Sequence, residues 1–218
     1  MIFGKDDKVL FIGDSISDYE RKRPVGEGLF NAWGRSYVAD AASLLYCTYP
    51  QKHLRFVNMG VAGHTVRDLM NRWQTDVMEQ KPDWVSVLIG INDVWCQFDM
   101  PEMQELHVPL EEYEATYEKL IQQTLTVAKG MILMTPYYME PNLHDAVRKR
   151  MDQYGAAVKR LAQRYSLVFV DLQSAWDELF LHMHSSNIAW DRVHPNQVGH
   201  MFLARTFLQA VGYAWQGE

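Results

Sequence analysis

Two short segments, one near each end of the chain, carry side chains that together could perform acyl transfer. Ser15 follows Gly13-Asp14 after an apolar run, and His194 lies three residues after Asp191. Enzymatic acyl transfer requires a nucleophile, a base and a group that orients the base. A carboxylate three residues before a histidine can reach its imidazole in a tight turn and fix the ring tautomer. The sequence therefore predicts Ser15 as nucleophile, His194 as base and Asp191 as the orienting acid.

Acyl transfer also requires hydrogen-bond donors for the oxyanion that develops during the reaction. The candidates are the backbone N–H of Ser15, the backbone N–H of Gly63 and the side-chain amide of Asn92. Glycine at position 63 allows close backbone approach because it has no Cβ. The amide of Asn92 donates a hydrogen bond without carrying charge. The sequence predicts an oxyanion hole made by these three residues.

Short apolar runs predict the strands that must position these groups. Each run has four to six residues and little alternation, which is typical of strands buried on both faces; they cover residues 9–12, 55–58, 84–89, 131–134 and 167–170. Helical patterns separate them at residues 36–46, 65–73, 110–128, 145–164 and 197–211. This alternation indicates a mainly parallel sheet with helices on both faces, where ligands bind beyond the carboxyl ends of the strands. Two long loops, 16–35 and 93–108, follow strand ends and are expected to be functional.

Composition excludes several classes of protein. The 218 residues indicate one domain, and the net charge of −6 disfavours a nucleic-acid partner. Two cysteines cannot form a disulfide framework or a zinc knuckle. Neither a secretory signal nor a bilayer-length apolar run is visible, so we expect a cytoplasmic protein without a membrane partner. The basic runs 21–23 and 148–150 are expected to be solvated.

Four motifs in order resemble the blocks of one enzyme family. Ser15 lies in Gly-Asp-Ser, Gly63 in Asn-x-Gly-x-x-Gly, Asn92 in Gly-x-Asn-Asp, and His194 in Asp-x-x-His-Pro. The sequence resembles the SGNH (GDSL-type) hydrolases, and the blocks span residues 13–195.

The resemblance implies a single SGNH hydrolase domain over residues 1–218. Its expected fold is a flavodoxin-like three-layer α/β/α arrangement with about five parallel strands. It also implies a serine esterase without metal or cofactor. The family's catalytic roles then fall to Ser15, Asp191 and His194, and its oxyanion roles to Ser15, Gly63 and Asn92.

Further segments are similar to the cytoplasmic xylan acetylesterase branch of this family: residues 23–28, 65–69, 81–86, 90–95 and 189–195. This similarity implies that the substrate is an acetylated xylo-oligosaccharide or another short-chain ester. It also implies a homo-oligomer. Two alternatives stay open: an SGNH lysophospholipase or thioesterase for longer acyl chains, and a catalytically silent flavodoxin-like binding module. An α/β-hydrolase elbow fits worse, because Gly-x-Ser-x-Gly is incomplete around Ser15.

Side chains that neighbour the predicted catalytic and oxyanion residues are candidates for the substrate pocket: Trp190, Trp95, Ile91, Asp14 and His64. The two tryptophan rings can stack against a sugar or pack against a small acyl group, with core packing as the alternative. For His64, a packed or an exposed ring is the alternative. His182 and His184 are expected to be solvated rather than metal-bound, because residues two apart on a helix do not share a face.

Overall fold

Five parallel strands form one sheet in the order β2-β1-β3-β4-β5 in the computed structural model of the chain, which describes residues 1–215. The strands are β1 (Lys8–Gly13), β2 (Arg55–Asn58), β3 (Trp84–Leu88), β4 (Gly130–Met134) and β5 (Val168–Val170). This arrangement confirms the predicted fold class. The predicted domain end at residue 218 lies outside the described residues.

Eight α-helices are present in the described part of the chain. They are α1 (Ser15–Asp18), α2 (Tyr37–Thr48), α3 (Val66–Trp73), α4 (Ile91–Asp99), α5 (Leu110–Thr124), α6 (Ala146–Arg164), α7 (Leu172–Leu179) and α8 (Gln197–Ala210). Helix α2 packs against α8, whereas α5 packs against α3 and α6. A π-helical turn at Gln74–Met78 extends α3, and short 3₁₀ turns lie at Pro50–Lys52, Gln104–Leu106 and Ser185–Asn187. No described helix has the length and apolar character to cross a membrane.

The sheet topology brings the carboxyl ends of β1, β2 and β3 together. Strand β1 pairs with β2 on one side and with β3 on the other, and Gly13 at its end is in register with Leu88. The chain passes from β1 to β2 and then crosses back over β1 to β3, so the strand order reverses at β1. Such a reversal leaves a crevice beyond the carboxyl ends of the strands, where ligands bind in open α/β sheets.

Besides the four-residue α1 at the start of the predicted loop 16–35, two longer helices, α4 and α7, lie where the sequence analysis placed none. Helix α4 occupies the first half of the predicted loop 93–108, and its start is set by Gly90, whose φ is +133°. Helix α7 follows β5 and was absent from the predicted elements. Both have only eight or nine residues, so their apolar periodicity is too short to be distinguished from an irregular segment.

The basic runs were predicted wrongly in part, because one arginine in each is buried. Arg21 is 6% exposed and donates hydrogen bonds to the backbone carbonyls of Gly60 and Pro24. Arg148 is 3% exposed and binds the carboxylate of Asp177 through two nitrogens. A guanidinium can be buried when its donors meet carbonyls or carboxylates, and a sequence run does not reveal those partners.

His200 connects α8 to the start of α2. Its imidazole is fully buried, and its Nδ1 accepts a hydrogen bond from the backbone N–H of Tyr37 at 3.1 Å. A nitrogen that accepts in this way carries no hydrogen, so the ring is neutral. Burial, with a smaller effect from His194, lowers the pKa of His200 from 6.5 to about 4.

We expect His200 to make the protein less stable as the solution becomes acidic. Between the folded and unfolded pKa values the unfolded chain binds a proton that the folded chain does not, so stability rises with pH across this window. The whole effect is on the order of 3 kcal/mol. The variant His200→Asn keeps an acceptor, Oδ1, near the position of Nδ1 but does not titrate. Urea unfolding from about pH 7 to about pH 4 should show a steeper loss of stability in the wild type; parallel pH profiles would contradict this assignment.

Candidate active site

The turn after β1 presents Ser15 at the first position of a short helix. The carboxylate of Asp14 accepts the N–H of Ile16 at 3.0 Å, and the Asp14 carbonyl accepts the N–H of Asp18 at 2.9 Å. Gly13 is required before this turn, because a Cβ there would lie 2.2 Å from the carbonyl oxygen of Leu88. The tight turn leaves the Ser15 backbone N–H without an acceptor among the described residues.

The predicted nucleophile, base and acid are in contact. Ser15 Oγ lies 2.9 Å from His194 Nε2, and His194 Nδ1 lies 2.7 Å from Asp191 Oδ2. Burial acts to raise the pKa of Asp191, but hydrogen bonds from the His194 ring and from the backbone N–H groups of His194 and Val193 outweigh it and lower the pKa. The ionised carboxylate therefore accepts from Nδ1–H. Nε2 is left as the acceptor of the Ser15 hydroxyl.

The segment after β4 holds the turn that carries Asp191 and His194. The backbone N–H of Met139 donates to the carbonyl of Arg192 at 2.9 Å, and the Tyr137 hydroxyl donates to the carbonyl of Val193 at 3.3 Å. The two accepting carbonyls, of Arg192 and Val193, lie between Asp191 and His194 in the sequence. The histidine is thus fixed relative to the sheet although its turn lies outside any helix or strand.

Gly63 has a free backbone donor in a loop where the neighbouring donors are satisfied. The N–H groups of residues 59–62, 64 and 65 each donate to an acceptor in the described part of the chain: Phe11 O, Asn58 Oδ1, Gly13 O, Asp18 Oδ2, Val61 O and Asp68 Oδ2. Gly63 N–H meets no acceptor among the described residues.

The backbone conformation of Gly63 gives a further reason for glycine at this position. Its φ is +81°, a left-handed conformation that strongly favours glycine, whereas a Cβ built there would meet no atom within 4 Å. Backbone conformation, rather than close approach of another chain segment, therefore accounts for glycine at this position.

The side-chain amide of Asn92, after β3, provides a further free donor. The Nδ2 atom donates to the carbonyl oxygen of His64 at 2.8 Å. That contact fixes the amide orientation, because a carbonyl oxygen accepts only from the nitrogen end. A primary amide has two N–H groups, and the second has no acceptor among the described residues.

Three unused donors therefore follow three neighbouring strands: Ser15 N–H follows β1, Gly63 N–H follows β2 and the Asn92 amide follows β3. Such donors can hold an oxygen atom that becomes negatively charged during a reaction. Together with the Ser15–His194 contact, they provide every group that acyl transfer requires.

The five pocket candidates differ in their surroundings. Trp190 is 88% exposed, and the Trp95 ring centroid lies 6.2 Å from that of His194 at an interplanar angle of 46°. Ile91 and Asp14 are buried. His64 is half-buried, and its Nδ1 has no hydrogen-bond partner in the described part of the chain.

Several residues that shape the site were missed by the sequence analysis. Asp18 accepts the N–H of Ala62 at 3.0 Å and pairs with Arg23, and Arg72 donates to the carbonyls of Met59 and Gly13. Asp18 is three residues after Ser15 on the same helix, a spacing that could have placed it near the site. No comparable signal distinguishes Arg72, whose partners depend on the tertiary fold.

A serine–histidine–aspartate contact at the carboxyl edge of a three-layer α/β/α sheet is the arrangement of an SGNH hydrolase. The sequence pattern of the GDSL-like Lipase/Acylhydrolase family matches residues 11–202. An acetylxylan esterase of Geobacillus stearothermophilus is 53% identical over 215 residues, which is 99% of this chain and 98% of that protein. The chain therefore belongs to the GDSL-like lipase/acylhydrolase family.

Solved structures agree with this membership. The crystal structure of Axe2, an acetylxylan esterase from Geobacillus stearothermophilus, matches with a TM-score of 0.97 and 52% identity, over 99% of this chain and 98% of that chain. LAE5, an α/β hydrolase enzyme from the metagenome of Lake Arreo, Spain, matches with a TM-score of 0.96 and 50% identity, over 98% of both chains. Axe2 variants described as catalytic mutants are S15A, D191A and H194A.

We expect Asn92→Ala to lower kcat for nitrophenyl acetate by roughly 10²–10³-fold with little change in KM, because the predicted role of the amide is to bind the transition-state oxyanion. Steady-state kinetics measure this. Asn71→Ala is the matched control, since Asn71 is exposed on α3 and should leave both constants unchanged. An unaltered kcat in the Asn92 variant would contradict the oxyanion role.

Proposed function

We propose that the protein is a serine esterase that removes acetyl groups from acetylated xylo-oligosaccharides or similar sugars. The observation that carries this proposal is the chain of contacts from Ser15 through His194 to Asp191, beside three unused hydrogen-bond donors. The substrate class is supported by the acetylxylan esterase that is 53% identical over nearly the whole chain.

Acylation begins at Ser15. His194 Nε2 takes the hydroxyl proton while Ser15 Oγ attacks the acetyl carbonyl carbon, and the carbonyl π electrons move onto its oxygen. The N–H groups of Ser15 and Gly63 and the amide of Asn92 bind this oxyanion. Asp191 stabilises the imidazolium that forms and holds the ring in place. Collapse of the intermediate expels the sugar oxygen, which receives the proton from His194.

Deacylation repeats these steps with water as the nucleophile. His194 removes a proton from water, the water oxygen attacks the acetyl carbon, and a second oxyanion occupies the same three donors. Collapse of this intermediate returns the proton from His194 to Ser15 and releases acetic acid, which ionises to acetate and a proton in solution. The products are one acetate and one deacetylated sugar hydroxyl, and no metal or cofactor takes part in the proposed route.

The side chains around His194 favour a short acyl group and a sugar leaving group. The Trp95 ring lies beside the imidazole, and the buried Ile91 begins the same helix, α4. We propose that these apolar groups form a wall for a methyl-sized acyl chain. Trp190 presents a largely exposed ring directly before Asp191, and exposed aromatic faces are suited to stacking on the apolar face of a sugar.

A chain-length series of nitrophenyl esters tests the substrate class. We expect the acetate ester to have the highest kcat/KM, and acetylated xylo-oligosaccharides to release acetate. Preference for octanoate would instead favour the lysophospholipase or thioesterase alternative. Ser15→Ala should lower kcat by about 10⁴-fold or more, as expected for loss of a triad nucleophile. A wild-type protein with no activity above that of Ser15→Ala would favour the silent binding module.

The proposal also includes a single domain over residues 1–218, a homo-oligomeric assembly and a cytoplasmic location. The assembly and the location rest on the resemblance to the xylan acetylesterase branch. Sedimentation velocity of the full chain tests the assembly, because a homo-oligomer should sediment at a multiple of the 25.4 kDa chain mass.

A further inference from the structure

Consecutive residues in the first turn of α4 both bind the loop that contains Gly63. Asn92 Nδ2 donates to the carbonyl of His64 at 2.8 Å, and Asp93 Oδ1 accepts the backbone N–H of Val66 at 3.0 Å. Asp93 is fully buried, and Val66 is the first residue of α3. The two bonds join the start of α4 to the start of α3, immediately after Gly63.

We propose that Asp93 is a positioning residue that sets the distance between the Gly63 N–H and the Asn92 amide. The inference rests on the oxyanion hole of the proposed function. Gly63 follows β2 and Asn92 follows β3, so the spacing of their donors depends on the contacts that join these two segments. The Asp93–Val66 hydrogen bond is a direct link between the elements that carry them.

A second carboxylate, of Asp18, binds the chain on the N-terminal side of Gly63. Asp18 on α1 accepts the N–H of Ala62, the residue before Gly63. Gly63 therefore lies between one contact to the helix of the nucleophile, made by Asp18, and two contacts to α4, made by Asn92 and Asp93. Because the contacts of Asp18 and Asn92 remain when Asp93 is changed, the loop should shift rather than detach, and the loss of rate should be graded.

An asparagine side chain can replace that of Asp93 without loss of a hydrogen bond, because only one of the two carboxylate oxygens has a partner among the described residues. Asp93 Oδ2 is buried and has no hydrogen-bond partner in the described part of the chain. Burial raises the pKa of Asp93 to about 7, an effect that the hydrogen bond from Val66 opposes and that the carboxyl groups of Asp14 and Asp68 reinforce. An asparagine would keep the accepting oxygen, with nearly the same shape and without charge.

Substitutions on both sides of the bond test the proposal. Asp93→Ala removes the acceptor, and Asp93→Asn retains it. Val66→Pro removes the donor with Asp93 intact, and proline is well accepted at a first helical position. Because Val66 is buried in the core, Val66→Ala, which keeps the N–H, is the control for the change in packing. Thr65, with φ −103° and ψ 178°, already has the extended backbone that a following proline requires. Asp171→Ala is the matched control, because Asp171 accepts an N–H at the start of α7.

We expect kcat for nitrophenyl acetate to fall on the order of 10–100-fold in Asp93→Ala and in Val66→Pro, with KM nearly unchanged. Asp93→Asn and Asp171→Ala should stay within about 3-fold of the wild type. The double variant Asp93→Ala/Val66→Pro should be no slower than the worse single variant, because both changes remove one bond. Circular dichroism confirms folding at the assay temperature.

Three results would overturn the positioning role: folded Val66→Pro with wild-type kcat, Asp93→Asn as slow as Asp93→Ala, or losses that multiply in the double variant. If Asp93→Ala does not fold, Val66→Pro and Asp93→Asn still decide the question. A wild-type protein that does not hydrolyse the ester faster than Ser15→Ala would refute the proposed function itself, which separates that failure from failure of this inference.

Discussion

The contact between Ser15 Oγ and His194 Nε2 is the interaction on which the site depends, and it joins residues 179 positions apart. No local element could bring them together. Parallel strands can, because every strand of such a sheet presents its carboxyl end at the same edge. The turn before Ser15 is fixed by the close approach of Gly13 to β3, and the turn of His194 is anchored to the segment after β4. The sheet therefore brings the segments of Ser15 and His194 close together, and the two turns orient their side chains toward each other.

The free donors of the oxyanion region are identified by the hydrogen bonds that the neighbouring backbone groups make. The loop after β2 satisfies its backbone donors on both sides of Gly63 with carbonyls and carboxylates, whereas the N–H of the exposed Gly63 has no acceptor among the described residues. A donor that remains unused in such a loop is available to a ligand. Its position is preorganised, because the neighbouring peptides cannot rotate without losing their own bonds. Preorganised donors need no rearrangement when charge develops, which is the basis of their catalytic value.

Much of this arrangement could be predicted from residue types and spacing. The strands were evident as buried apolar runs, and Ser15, Asp191 and His194 were selected by the chemistry that their side chains share. What could not be predicted depends on contacts distant in sequence. The burial of Arg21 requires carbonyls from another loop, and the link between Asp93 and the start of α3 requires two helices to meet. Short helices such as α4 and α7 were missed because their formation relies on packing rather than periodicity.

The claim that His194 activates Ser15 is tested most directly by the site and rate of reaction with a fluorophosphonate. Such a reagent forms a covalent phosphorus–oxygen bond with an activated serine and releases fluoride. Mass spectrometry of the digested protein should locate one adduct on Ser15, and its formation should slow by orders of magnitude in His194→Ala. An adduct on another residue, or equal rates in the two proteins, would contradict the account.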